Sequence, residues 1–150
     1  YYDKNRDNIQ EKKSKITYCS LNKLMKVSDI LVLTISLNKS TINLVNKKNL
    51  KYMKKSSYII NTSRGEIINE EDLYKSLKNN KIKGAALDVL KNEGDNKFFK
   101  NSNLIRYAKK NKNLIITPHI SGATNDSWKL SEIFIANEIK KIIKRDCLEK

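Results

Sequence analysis

Apolar residues in this chain come in short bursts of two kinds. The first kind is contiguous and β-prone: Ile-Leu-Val-Leu-Thr-Ile within 29–35, Tyr-Ile-Ile at 58–60, Ala-Ala-Leu-Asp-Val-Leu within 84–90 and Leu-Ile-Ile-Thr within 114–118. Runs without alternation predict strands buried on both faces, as in parallel sheets. The second kind has helical spacing. Leu21, Leu24 and Met25 follow a capping Ser20, and Leu50 and Met53 fall on one face of a helix expected over 44–55. Leu73, Tyr74 and Leu77 follow Asn69 in a helix expected over 70–79, whose first turn holds Glu70, Glu71 and Asp72. A long last helix over 125–144 carries Ile133, Ala136, Ile139 and Ile143, which predicts a buried face.

Polar segments punctuate these bursts. Tyr1-Tyr2-Asp3 reads as the end of a strand, 4–14 as a loop or poor helix, and 15–19 as a short alternating strand. Residues 36–43 form a polar loop, and 91–112 a long polar segment with helical character over 103–110. Gly65 stands at a turn where a Cβ would clash, and small Gly84, Ala85 and Ala86 permit close approach by a helix. Pro118 stops the last strand. Strands alternating with helices predict an α/β, doubly wound, parallel sheet of the Rossmann-like class in one domain.

Composition narrows the partners. The 150 residues carry 31 Lys and Arg against 16 Asp and Glu, a net charge of +15. That invites a nucleic-acid reading. Only Arg6, Arg64, Arg106 and Arg145 are arginines, and the lysines are spread through every segment without interleaved aromatics. Phosphate and base readers rely on the arginine fork and on stacking aromatics, so a solvated surface explains the charge better. No apolar run reaches membrane-spanning length and no leader pattern opens the chain, which predicts neither a membrane nor a secretory setting. Cys19 and Cys147 lie far apart, in no metal-type spacing, which predicts a reducing, cytoplasmic compartment and no metal.

Chemistry gathers at the predicted carboxyl ends of the strands, where open α/β sheets bind ligands. Asp3, Ser36, Arg64, the 88–93 group and His119 all stand at or just beyond such ends. An arginine can grip a carboxylate in a bidentate fork, and the chain's one histidine can move a proton near neutral pH. A carboxylate beside it favours the imidazolium.

Asn61-Thr-Ser-Arg-Gly65, Gly84-Ala-Ala-Leu-Asp-Val89, Glu93 and Thr117-Pro-His-Ile-Ser-Gly-Ala-Thr124 together resemble the D-isomer-specific 2-hydroxyacid dehydrogenases, nearest to their phosphoglycerate dehydrogenase-like branch. The resemblance runs in order through nearly all of 1–145. It implies NAD as cofactor, a small 2-hydroxy or 2-keto acid as substrate and a homodimer. It puts the catalytic arginine, glutamate and histidine on Arg64, Glu93 and His119. It puts the aspartate that meets the nicotinamide carboxamide on Asp88, and the acid that holds the adenosine ribose on Asp3. Ile35, Ser36, Thr62, Ser63, Arg64, His119, Ser121 and Gly122 fall on cofactor-lining positions. The implied reaction is hydride transfer between NAD(H) and the 2-hydroxy/2-keto acid pair. A non-catalytic dinucleotide-binding or scaffold protein on the same fold is the competing reading; retention of Arg64, Glu93 and His119 together speaks against it.

Four departures qualify the match. Thr34-Ile35-Ser36 replaces the family's His-x-Pro, Gly94 replaces the proline after its acid, and Ser121 replaces a frequent glycine. The glycine-rich turn that cradles pyrophosphate is expected about 20 residues before Asp3. It is absent from these 150 residues, whose glycines are Gly65, Gly84, Gly94 and Gly122. Residues 1–150 therefore read as a partial NAD-binding domain, lacking its first strand–helix unit and the substrate domain.

Overall fold

The computed structural model describes residues 1–148, with side chains for all of these except 96, 98, 99 and 144–148. Two compact units are present, Tyr1–Pro118 and the segment from His119 onward. The first unit is built on four parallel strands, β1 (Ile30–Leu33), β2 (Tyr58–Asn61), β3 (Gly84–Leu87) and β4 (Leu114–Ile116), ordered β1-β2-β3-β4. Parallel neighbours need crossover connections, and helices supply them here. These are α3 (Lys47–Leu50), α4 (Glu70–Lys78), α5 (Asn96–Asn101) and α6 (Asn103–Ala108), preceded in the chain by α1 (Asn8–Ser14) and α2 (Leu21–Val27). The core follows: Met25, Leu50, Leu73, Leu77 and Leu104 from helices meet Leu31, Leu33, Ile59, Leu87 and Leu114 from strands.

The parallel α/β architecture agrees with the pattern, but the strands are not buried on both faces. Ile30 and Val32 are 57% and 51% exposed, and Ile115 is 59% exposed, while Leu31 and Leu33 between them are buried. Apolar residues occupy both sets of alternate positions, and helices cover one set.

Other expectations need correction. Residues 1–3 and 15–19 form no strand, although Tyr1 is tied alongside the second segment: its ammonium donates to the Thr17 carbonyl at 2.6 Å and its carbonyl accepts from Cys19 N–H at 2.8 Å. The helix expected over 44–55 shrinks to the four residues of α3, because Val45 instead bridges Ile68 and Asn46 starts the helix in a capping box with Asn49. Leu50 and Met53 are buried as the spacing implied. A Cβ on Gly84 would stand 2.8 Å from the Asn113 carbonyl oxygen and 3.0 Å from the Tyr58 ring, so the close approach is by neighbouring backbone and an aromatic, not a helix.

The caps behave as read. Ser20 accepts from Lys23 N–H and Asn69 from Asp72 N–H, starting α2 and α4. Asp7 likewise caps α1, giving the 4–14 segment its helix.

In the second unit, α7 runs Asn125–Leu148, longer than the pattern implied. Its expected buried face is not buried: Ile133, Ala136, Ile139 and Ile143 are exposed, as are Trp128, Leu130, Phe134, Ile135 and Ile142. Trp128, Ile135, Ile139 and Ile142 recur at steps of seven, four and three, while Leu130, Ile133 and Phe134 occupy the opposite side, so the apolar residues of α7 are spread over more than one side and do not form the single stripe expected. Among the described residues, no helix is long and apolar enough to cross a membrane.

Candidate functional site

Register brings the candidate loops to one edge of the sheet. Leu33 pairs with Asn61, Asn61 with Leu87 and Leu87 with Ile116 in the last row of the four strands. The segments that leave this row are 34–36, 62–65, 88–93 and 117–118. Parallel strands make this edge the carboxyl edge throughout, and the connecting backbone there is released from the ladder to meet a ligand.

Asn61 organises the loop after β2. It lies on the covered face, two positions after Ile59, and is 0% exposed. A buried amide must be satisfied, and it is: Nδ2 donates to the Arg64 carbonyl at 3.0 Å and Oδ1 accepts from Ser63 N–H at 3.1 Å. The loop is thereby drawn into a tight turn that leaves Thr62 and Arg64 exposed. Ser63 Oγ donates to the Ile35 carbonyl, which joins this loop to the one after β1. The Arg64 guanidinium donates from Nη1 to the Ser63 carbonyl at 2.6 Å. Ser36 is exposed, and its carbonyl accepts from Thr41 Oγ1 at 2.9 Å.

Gly65 follows in a 3-10 turn over Gly65–Ile67. It is needed for proximity rather than for an unusual φ. A Cβ there would lie 2.0 Å from the Leu90 carbonyl carbon and 2.2 Å from Lys91 N. The loop carrying Arg64 and the loop leading to Glu93 thus touch backbone to backbone.

The second loop has its own anchors. Asp88 is buried; its N–H donates to the Asn61 carbonyl at 2.9 Å, and its Oδ1 accepts from Thr117 Oγ1 at 2.5 Å. Glu93 Oε2 accepts from Leu90 N–H at 3.2 Å, closing a short turn. Lys91 N–H donates to Glu70 Oε1, at the first residue of α4, at 2.6 Å. Burial raises the Glu70 carboxyl above its ordinary value, with the Lys91 N–H bond and Lys91 charge opposing the rise and Glu66 adding to it.

Of the remaining candidates, Asp3 lies near the start of the first unit, and His119, Ser121 and Gly122 belong to the second. Asp3 is exposed and accepts from Asn5 N–H at 2.8 Å, and no bond joins it to the loops above among those described. His119 opens the second unit with φ at 55°, a left-handed backbone that histidine adopts more readily than most residues. Ser121 and Gly122 are exposed in the turn before α7.

Structure thus brings together Ile35, Ser63, Arg64, Asp88 and Glu93 by bonds or backbone contact. Sequence reasoning passed over three supports: the inward amide of Asn61, the Thr117–Asp88 pair and the grip of Glu70 on Lys91. Asn61 carried a signal, since an asparagine in phase with Ile59 must point into the core. Glu70 carried none that separates it from Glu71.

The edge offers exposed hydroxyls at Ser36 and Thr62, a cation at Arg64 and a carboxylate at Asp88. Such a mixture of donors and acceptors can hydrogen-bond a polar ligand. A phosphate cradle of the G-x-G-x-x-G kind has no counterpart in these 150 residues.

Comparison with known proteins supplies the family. Residues 1–121 match the NAD binding domain of the D-isomer specific 2-hydroxyacid dehydrogenases. A Staphylococcus aureus (strain MRSA252) protein assigned as a 2-hydroxyacid dehydrogenase is 34% identical over 91% of this chain, and the chain spans 41% of that relative's length. The NAD-complexed D-isomer specific 2-hydroxyacid dehydrogenase of Lactobacillus delbrueckii ssp. bulgaricus aligns with TM-score 0.77 at 31% identity, over 95% of this chain and 45% of its own. The D-lactate dehydrogenase of Aquifex aeolicus, complexed with NAD and lactic acid, aligns with TM-score 0.77 at 29% identity, over 97% and 46%. Through residues 1–121, which match that NAD binding domain, the chain belongs to the D-isomer specific 2-hydroxyacid dehydrogenase family.

Proposed function

We propose that the protein carrying this chain transfers hydride between NAD(H) and a D-2-hydroxy acid/2-keto acid pair, and that residues 1–150 are part of its NAD-binding domain. The observation that carries the reading is the backbone contact between the Arg64 loop and the loop leading to Glu93, at neighbouring strand ends of a domain of this family. Two residues of opposite charge are held there by separate elements.

NADH, when bound, supplies a hydride to the carbonyl carbon of the keto acid. Arg64 grips the substrate carboxylate and polarises the carbonyl through its planar fork. His119 gives the proton that the carbonyl oxygen needs, with Glu93 as the third member of the catalytic set. In the oxidative direction neutral His119 takes the hydroxyl proton. Thr62, Ser63, Ser36, Ile35, Asp88, Ser121 and Gly122 line the cofactor, and Asp3 holds the adenosine ribose. The finer reading is a phosphoglycerate dehydrogenase-like enzyme, working in the cytoplasm as a homodimer on a small acid and not on nucleic acid or a membrane. It rests on the wording of the motifs, the two distant cysteines and the dispersed lysines.

The test is NADH oxidation by the full-length protein with a panel of 2-keto acids, pyruvate first because a solved neighbour was crystallised with lactic acid. The expected result is turnover with at least one of them, abolished by Arg64→Ala and by His119→Ala. Saturable NAD binding without turnover of any keto acid favours the dinucleotide-binding scaffold instead.

A further inference from the structure

We propose that Glu70 is a positioning residue that clamps the backbone of the Glu93 loop to the start of α4, and so fixes the spacing of Glu93 from Arg64. The inference rests on the dehydrogenase reading for its catalytic meaning, but its geometry stands alone. Leu90 N–H and Lys91 N–H are consecutive donors, each taken by a carboxylate: Glu93 at 3.2 Å from within the loop and Glu70 at 2.6 Å from α4. The Gly65 backbone lies against the same two residues, so closely that even a Cβ cannot fit. Leu90 and Lys91 are thus held both by contact with the turn that follows Arg64 and by the carboxylate that opens α4. Gly65 and Glu70 belong to one short stretch of chain, so the element that carries Arg64 also sets where the other loop sits.

The position of Glu70 is not explained by capping alone. Asn69 already caps α4 through Asp72 N–H, and the neighbouring Glu71 engages Asn103 and Lys75 at the surface. Glu70 instead turns inward to a backbone donor twenty-one positions away. Partial burial raises its pKa, as desolvation of a carboxyl does. The loop needs such a clamp because Gly94 follows Glu93 directly and restrains the backbone less than a proline would.

The experiment compares Glu70→Ala and Glu70→Gln with the parent. Glutamine keeps an oxygen that can accept the Lys91 bond; alanine does not. Amide hydrogen exchange is the first arm. Glu70→Ala is expected to speed exchange at Lys91 roughly tenfold, with β2 and β3 amides unchanged, and Glu70→Gln to restore protection. Keto-acid reduction by the full-length protein is the second arm. Glu70→Ala is expected to lower kcat roughly ten- to hundredfold at an unchanged KM for NADH, with Glu70→Gln recovering most of it, because displacement of a working group costs rate more than binding. Unchanged Lys91 exchange in Glu70→Ala overturns the clamp. So does a glutamine variant as impaired as alanine; faster exchange with a parental kcat overturns the role of the clamp in positioning Glu93. If the parent itself reduces no keto acid, the dehydrogenase reading fails, and the exchange arm alone decides whether Glu70 holds the loop.

Discussion

Gly65 and Glu70 fix one loop in two ways, by absence of atoms and by presence of a bond. Gly65→Ala introduces a methyl 2.0 Å from the Leu90 carbonyl carbon, with backbone rather than a flexible side chain in its way. The two loops must separate to admit it. Overpacking of this kind costs about 1–3 kcal/mol, read as a lower urea midpoint at constant m. Glu70 lends itself to a pH measurement. Its native pKa is raised above the ordinary 4.5 by burial. The native state therefore holds the proton over a range where the unfolded chain has lost it, and stability falls as pH rises from about 4.5 through the native value. Glu70→Gln has no such slope. The melting temperature of the parent minus that of Glu70→Gln should fall with pH over this window and level off above it. Glu71, lowered by its bond from Asn103, slopes the other way but is common to both proteins and cancels.

Elements were legible where pattern alone decides them. All four strands, the Ser20 and Asn69 caps and the α4 stripe follow from local spacing. What escaped depends on contacts across the chain: the Val45–Ile68 bridge that shortens α3, the clamp on Lys91, and the pairing of Asp88 with Thr117 from another strand end. Arg64, Asp88 and Glu93 could be named from motifs, but not the supports that aim them. Strand periodicity also carries a contrast that a contiguous apolar run conceals. Val32 and Ile59 sit on adjoining strands and opposite faces, one half exposed and one fully buried. Val32→Thr should change stability by less than about 0.5 kcal/mol, whereas Ile59→Ala should cost about 2–5 kcal/mol. Equal losses in chemical denaturation would mean that the exposed face is covered in solution.

At the scale of the whole molecule, the site is only as complete as its phosphate grip. The described edge provides hydroxyls, a cation and a carboxylate, while glycines in the 150 residues stand at 65, 84, 94 and 122, too far apart for a nucleotide-binding turn. Residues 1–150 on their own should therefore bind NAD weakly and turn over no 2-keto acid. Calorimetric titration with NAD would show millimolar or no affinity, and a micromolar constant would mean that the pyrophosphate is held by other groups. The sheet order has a consequence of another kind. Strands lie side by side in the order in which a ribosome delivers them. Partners Ile30 and Tyr58 are 28 positions apart, Tyr58 and Gly84 are 26 apart, and Ala85 and Leu114 are 29 apart. Each new strand emerges to find its neighbour already made and closes a loop of nearly constant, modest entropy. These four strands can thus be added one at a time during synthesis, with little opportunity for them to pair in the wrong order.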